Sequence, residues 1–315
     1  MKRSGEVPPL IGIGDLVADV VVSIPELPVN SGDFKLADSF YVEAGGTANF
    51  LILAARLNAP SMAMGTIGTD IWGREAAAIL RAECVDLSLV FPSGSTTRAL
   101  VLVDKTGDHA FVGKFGEGED QTFGEAHEEA LRRAGGLFVS GYSFSEEHLA
   151  ELTIRALETA GEAKVLRSFD PGPAYAGLSL QMQLKALSLT DILILNEEEL
   201  AVVGPEGVKS LFGLGITMVV LKLGADGCEI YCDDGRVIRH TGFSVPVVDT
   251  TAAGDSFAAG FLRALTAGLS LETCALFANA VGAAKVQKLG GGRNVPTYSE
   301  VKSVLASNGI RDPLS

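Results

Sequence analysis

Short apolar, β-branched runs alternate with longer stretches whose apolar residues recur at helical spacing, and this predicts an α/β body with a largely parallel sheet. Residues 10–14 read as a buried strand ending in a turn, and further strands are predicted at 62–67, 137–139, 165–169, 192–195 and 218–221. Phe50, Leu53, Ala54 and Leu57 stand at i, i+3, i+4 and i+7 in a helix over 47–58. Other helices are predicted at 72–84, 146–160, 178–189, 253–267 and 271–288. A second texture interrupts this order. Residues 17–24, 34–42, 98–103 and 109–114 are β-rich and partly alternating, with turn residues such as Pro28, Gly32 and Gly107 between them and no intervening helix. They read as hairpins. The economical picture is one domain over 1–315 with a small sheet, formed by approximately 16–25, 33–42 and 97–115, inserted from the N-terminal third. A sheet projecting from a body covers a site or pairs with another subunit.

Composition narrows the function. The chain is 47% apolar and 20% charged, a globular balance, and its net charge of −14 argues against a nucleic-acid partner, which needs clustered Lys and Arg. An anionic small substrate is still compatible with a locally positive site. The apolar stretches at 10–24 and 217–223 are broken by Asp15, Asp19, Pro25 and Lys222, well short of the roughly 20 apolar residues a spanning helix needs. The N-terminus, Met1-Lys2-Arg3-Ser4-Gly5-Glu6, has no apolar run behind its basic residues and so is not read as a signal peptide. Cys84, Cys228, Cys232 and Cys274 form no CxxC pair, which fits reduced, mostly packed thiols and a cytoplasmic location. His109, His127, His148 and His240 are scattered, with no metal-ligand spacing.

The most informative stretch is Asp249-Thr250-Thr251-Ala252-Ala253-Gly254-Asp255-Ser256-Phe257, entered from a β-type run at 243–248 and leading into an apolar helix. Small residues at 252–254 let a ligand approach the backbone, and amides at a helix N-terminus make an anion site supported by the helix dipole. Asp255 is then anomalous, because like charge repels phosphate. It is either a first-turn carboxylate satisfying orphan amides or a general base beside a transferring phosphoryl group.

These residues resemble the DTxGAGD signature, in its AAGD variant, of the ribokinase-like (PfkB) carbohydrate kinases. The resemblance implies a Rossmann-like αβα sandwich with a small β-sheet lid, ATP as phosphoryl donor and Mg2+ as cofactor. By it, Asp255 is the base, Ala252, Ala253 and Gly254 form the anion hole, and Asp249 and Thr251 help hold a monovalent cation such as K+. The match continues in order along the chain. Ala44-Gly45-Gly46-Thr47-Ala48-Asn49 resembles the first family signature, and Arg56-Leu57 follows where the family has RLG, with Asn58 in place of the glycine. Gly14-Asp15-Leu16-Val17-Ala18-Asp19 resembles the strand-turn whose final Asp binds acceptor hydroxyls. Asp19, Gly45, Gly46 and Asn49 are thereby acceptor-binding residues, a set suited to a polyol.

Asn196-Glu197-Glu198-Glu199 follows a predicted strand, where ligand sites of α/β sheets gather. Glu197 and Glu198 read as a solvated helical turn. Asn196 and Glu199 match the family's NxxE motif, with Glu199 acting on Mg2+ through water. Lys222, Gly224 and Gly227 resemble the segment that approaches ATP, and Asn279 falls where the family lines the adenine pocket. Gly290, Gly291 and Gly292 would form the loop beside the cation. Pairing of two subunits through the lid is also implied.

The acceptor is left open. Asp170-Pro171-Gly172-Pro173-Ala174 resembles the ribokinase segment more than that of 2-keto-3-deoxygluconate kinases, yet Gly46 and Ser140 or Gly141 stand where ribokinases carry Lys and Glu. A ribose-like pentose or a ketohexose is favoured, with a sugar acid or a nucleoside as the alternatives. Phe34, Phe40 and Tyr41 could stack on a base or form a packed face. Other classes fit less well: Gly12-Ile13-Gly14 begins a dinucleotide fingerprint that fails at Val17, no P-loop occurs, and a non-catalytic sugar or nucleotide sensor would be expected to lose the base or the hole.

Overall fold

The computed structural model describes residues 7–119, 121–145 and 147–315. Residues 1–6, Glu146 at the expected start of a helix, and the side chain of His148 lie outside that description. In chain order the elements begin β1 (Leu10–Ile13), β2 (Leu16–Ser23), β3 (Ser39–Gly46), α1 (Ala48–Arg56), β4 (Ser61–Ile67), α2 (Ile71–Ala82), β5 (Val85–Pro92), β6 (Arg98–Val103) and β7 (His109–Lys114). Then follow α3 (Glu125–Arg133), β8 (Gly136–Ser140), α4 (Glu147–Glu162), β9 (Leu166–Asp170), α5 (Leu180–Ser188), β10 (Ile192–Asn196), α6 (Glu197–Val203), α7 (Val208–Phe212) and β11 (Met218–Lys222). The chain closes with β12 (Cys228–Cys232), β13 (Val237–His240), α8 (Ala253–Thr266), α9 (Leu271–Lys285) and α10 (Tyr298–Ser307).

Nine strands form one sheet in the order β13-β12-β11-β10-β9-β8-β1-β4-β5. It is parallel except at one edge, where β12 and β13 pair antiparallel. Neither of these two strands nor β5 had a sequence signal strong enough to predict it. Strand β10 explains the layering. Ile192 and Ile194 join the core beneath α1, α8 and α9, while Leu193 and Leu195 join the core under α4 and α5. Alternation across a strand buried on both faces is what an αβα sandwich requires. The β-type run at 243–248 is not a strand. It is a loop with Val247 and Val248 exposed, and Pro246 has no N–H to give a ladder.

Four strands form the small sheet, ordered β3-β2-β6-β7. Its outer pairs are antiparallel as expected for hairpins, but β2 and β6 run parallel. β3 starts at Ser39 rather than near residue 34 and continues to Gly46, so the sheet itself carries the glycine signature. Phe34 lies in the preceding loop, 87% exposed. Val20, Val22 and Ile24 on one face pack with Trp72 of α2, and Val21, Val101 and Val103 on the other with Tyr41. At the β6–β7 turn, a methyl at Gly107 would lie 3.2 Å from the Val248 carbonyl, so the tip of the sheet meets the loop that enters α8.

Helix α1 is buried along almost its whole length and lies against α8. Its end explains the Arg56-Leu57-Asn58 motif. Arg56 pairs with Glu83 at 2.7 Å and donates to the carbonyls of Arg293 and Val295, while Asn58 takes the left-handed φ of 59° that terminates helices with Gly or Asn. Helices α8 and α9 meet closely at Gly260, where an added Cβ would stand 2.8 Å from Val281 Cγ2. Gly260→Leu is therefore expected to lower stability by roughly 1–3 kcal/mol through overpacking, read as a reduced urea midpoint at unchanged m-value.

Candidate active site

The site forms where β9, β10 and β11 end and α1 and α8 begin. Ala252 precedes α8 at a φ of 60°, a left-handed conformation that costs a non-glycine residue roughly 1–2 kcal/mol. The turn exposes the start of the helix to the cleft. The Ala253 amide donates to the Thr250 carbonyl at 3.0 Å, which removes it from the expected hole of 252–254. Among the described residues the amides of Ala252, Gly254 and Asp255 have no backbone acceptor, so Asp255 contributes a donor as well as a carboxylate.

Asp255 is held from two sides. Asn49 on α1 donates Nδ2 to its Oδ2 at 3.0 Å, and Asn49 is itself fixed by the Gly292 amide, which donates to its Oδ1 at 2.7 Å. Burial, with Asp170 and Glu199 nearby, pushes the Asp255 carboxyl up to about 6, while Asn49 and Lys222 hold it down. That value suits a base working near neutral pH. Lys222 Nζ lies 2.7 Å from Asp170 Oδ2 and 3.9 Å from Glu199 Oε2, and a methyl at Gly254 would stand 3.1 Å from it. Burial alone would lower the Lys222 ammonium, but the two carboxylates outweigh it and raise it, so it stays charged over the turn.

The NxxE motif is a capping box. The Glu199 amide donates to Asn196 Oδ1 and the Asn196 amide to Glu199 Oε2, both at 2.8 Å. Glu197 and Glu198 are exposed, as expected of a solvated turn. Burial and Asp170 raise the Glu199 carboxyl, with Lys222 opposing.

Asp19 reaches the same centre from the small sheet. It sits opposite Glu43 in the β2–β3 register, and a Cβ at Gly45 would fall 1.9 Å from its Oδ2, so only glycine leaves room for this carboxylate. Gly46 has a φ of 59° and would otherwise clash with the Asp15 carbonyl. Burial, Glu43 and then Asp255 push the Asp19 carboxyl up to about 7. Asp255 is thus near enough to raise Asp19, and Asn49 bonds to Asp255.

A cavity of about 610 Å³ opens from Gly254 and is lined by Asn196, Lys222, Gly224, Gly227 and Asn279, all five residues expected to contact a nucleotide. Phe243, Val245 and Phe257 give it apolar walls. Asn279 Nδ2 donates to the His240 carbonyl at 3.3 Å and ties α9 to the antiparallel edge. Size and lining suit a purine nucleotide with its phosphates toward the turn.

Asp249 and Thr251 are clasps. Asp249 Oδ1 accepts from the Thr251 amide and hydroxyl, each at 2.8 Å, and Oδ2 from the Gly290 amide at 2.6 Å. Burial alone would raise the Asp249 carboxyl, but these bonds outweigh it and hold it below the ordinary value. Gly290 and Gly292 are thereby joints between the motif and α1.

Sequence reasoning missed Asp170 as the partner of Lys222, Glu43, and Tyr142. Burial, then Asp15 and Asp255, raise the Tyr142 phenol, which therefore senses the charge of the same carboxylate. Glu43 next to the glycine signature and the strand-ending Asp170 were available signals. Tyr142, in an irregular turn, carried none.

A nucleotide-sized cavity beside a helix start with unengaged amides and a raised carboxyl at Asp255 is an arrangement suited to an ATP-dependent phosphotransferase. The model of the pfkB family carbohydrate kinases matches residues 11–298, and the chain belongs to that family. An ATP-dependent ribose-1-phosphate kinase of Halopiger xanaduensis is 30% identical over 94% of this chain and 98% of its own. A nucleoside kinase of Methanothermobacter thermautotrophicus is 29% identical over 97% of this chain and 98% of its own. Among solved structures, Arabidopsis thaliana ribokinase complexed with ribose and ATP superposes with a TM-score of 0.81 at 26% identity, covering 95% of this chain and 99% of that one.

Two outcomes follow from the electrostatics. With Asp255 as proton acceptor, kcat/KM should rise through an acid limb near pH 6, where that carboxyl ionises. Asn49→Leu removes a bond to the charged form and should move that limb up by about 1 pH unit, seen in the pH profile. Asp19 is protonated more tightly when folded, about 7 against 3.8, so its ionisation costs the native state increasing stability as pH rises between those values. Asp19→Asn should gain Tm relative to the parent at pH 8 and not at pH 3.5, while losing acceptor affinity.

Proposed function

We propose that this protein transfers the γ-phosphoryl group of ATP to a hydroxyl of a neutral furanose-type sugar, with Asp255 as base. The observation that carries this reading is that Asp255, bonded by Asn49 and close enough to Asp19 to raise it, directly follows Gly254 in the lining of the nucleotide-sized cavity. The acceptor hydroxyl binds against Asp19 and Asn49. ATP lies with its phosphates toward Lys222 and the amides of Gly254 and Asp255, and its base among the apolar residues near Asn279. Asp255 takes the hydroxyl proton as the new bond to phosphorus forms, and the amides and Lys222 stabilise the charge spreading over the transferred group. The small sheet serves as a lid that excludes water, which would otherwise accept the phosphoryl group.

Among the described residues no group of three or more His, Cys, Asp or Glu is arranged to hold a metal ion. Glu199 and Asp170 nonetheless present carboxylates beside the phosphate end, which fits Mg2+ bound mainly by water and phosphate. Held there, Mg2+ would neutralise phosphate charge.

The crowd of carboxylates favours a neutral acceptor over a sugar acid or sugar phosphate. Arg293, near Glu43, is engaged by that carboxylate at 3.0 Å. A nucleoside is the second reading. It is favoured by a cavity of about 570 Å³ next to the centre, lined by Phe115, Tyr142, Phe144, Pro173 and Met182, which would take an apolar ring attached to the sugar. The exposed Phe40, Phe111 and Val112 of the small sheet suit pairing with a second subunit through the lid. Among the described residues no helix is long and apolar enough to cross a membrane.

The test is ADP release from Mg-ATP over ribose, fructose, ribose-1-phosphate, 2-keto-3-deoxygluconate and a nucleoside set. One neutral acceptor should dominate, and Asp255→Asn should lose about 10²–10⁴ in kcat with it. A variant keeping most of the activity overturns the assignment of the base, and a dominant anionic acceptor overturns the choice of substrate.

A further inference from the structure

The nucleotide-sized cavity is poor in positive charge. Among the described residues that line it, Lys222 is the only one with a charged side chain. That charge is already matched. Lys222 Nζ lies 2.7 Å from Asp170 Oδ2, and the two side chains are only 14% and 12% exposed. Asp170 Oδ1 meanwhile accepts the Gly172 amide at 3.2 Å, which fixes the carboxylate at the end of β9. Glu199 Oε2 stands 3.9 Å from the same Nζ and is held by the Asn196 amide.

A nucleoside triphosphate carries several negative charges, and a site for one gathers cations and free amides around them. The start of α8 offers amides, which supply partial charge only. The full charge is that of Lys222, and Asp170 balances it. A pair so withdrawn from water is screened little by salt, so the balance persists in solution. The ammonium is charged, yet the pair as a whole is neutral. Positive charge for the phosphates must therefore arrive with the nucleotide. The plain alternative is that the pair only ties the end of β9 to that of β11 across β10. The two readings differ in what asparagine at 170 would do. It would fill the same space and still accept from Gly172, while leaving the ammonium unbalanced.

We propose that Asp170 sets the form of nucleotide this site accepts: by neutralising Lys222 it makes the cavity select a nucleotide complexed with a divalent cation over the metal-free nucleotide. The proposal rests on the reading of that cavity as the ATP site. Asp170 does not itself line the cavity. It is on this account a specificity-determining residue that acts through Lys222. A metal-free triphosphate meets a neutral pair with Glu199 beside it. A complexed one brings two positive charges of its own, which these carboxylates favour.

The test is calorimetric binding of the β,γ-imido analogue of ATP at pH 8 and fixed ionic strength, in excess MgCl2 or in EDTA. It needs neither acceptor nor turnover. The parent should bind the magnesium complex at least about 10-fold more tightly than the metal-free analogue. Asp170→Asn should bind the metal-free analogue about 10–100-fold more tightly than the parent does, the effect of one unbalanced charge in a partly buried site. Adding Lys222→Met to that variant should abolish the gain, because the gain belongs to the uncovered ammonium. A pair that only ties two strand ends would give no gain in affinity when broken. A parent that binds both forms alike overturns the proposal alone, as does Asp170→Asn with the parent's preference unchanged. Should that variant fail to fold, Asp170→Ser carries the same expectation. A parent that binds neither form overturns the nucleotide reading, and this proposal with it.

Discussion

The arrangement depends on keeping one carboxylate, Asp255, at the start of a helix whose amides and neighbouring lysine suit an anion. Left alone, such a carboxylate would repel the phosphates or take up a proton. The start of α8 supplies amides and the positive end of a helix dipole, Lys222 supplies a full charge, and Asn49 supplies a bond to the carboxylate itself. Each of these supports is held by something further out. Lys222 is aimed by Asp170 and Glu199, and Asn49 by the Gly292 amide. The glycine loop is in turn fastened to Asp249. The balance leaves Asp255 near 6, basic enough to take a proton and acidic enough to be charged at neutral pH.

This also accounts for the division of the fold. The large sheet brings Asp170, Asn196 and Lys222 to the ends of adjacent strands, where the β10–β11 register sets Asn196 directly beside Lys222. The small sheet brings Asp19 from a different element, and its β3 strand runs straight into α1, so that Gly45, Gly46 and Asn49 are fixed by one short segment. The same β6–β7 turn that ends the small sheet lies against the loop leading into α8. The small sheet, the glycine pair before α1 and the 249–255 turn are therefore joined through direct contacts.

Much of this was legible in the sequence because the informative signals are local. The 249–255 turn, the glycine pair before α1, and the strand ends at 196 and 222 each announce themselves by residue types that local backbone geometry demands. Long-range pairings were not legible. Nothing near Lys222 indicates that it meets Asp170, 52 residues away, and nothing near Asn49 indicates Gly292 or Asp255. The antiparallel edge strands were missed because short strands carry little periodicity, and the loop at 243–248 was misread because β-branched residues lining a cavity look like a strand.

The central claim is that Asp255 sits in the free enzyme as a carboxylate of raised basicity. Carbon-13 NMR of protein labelled at the aspartate side-chain carboxyls, compared with Asp255→Asn to assign the resonance, measures this without any acceptor. The account predicts a signal lost in the variant that titrates at about 6. A signal titrating near the ordinary value of 3.8 would contradict it.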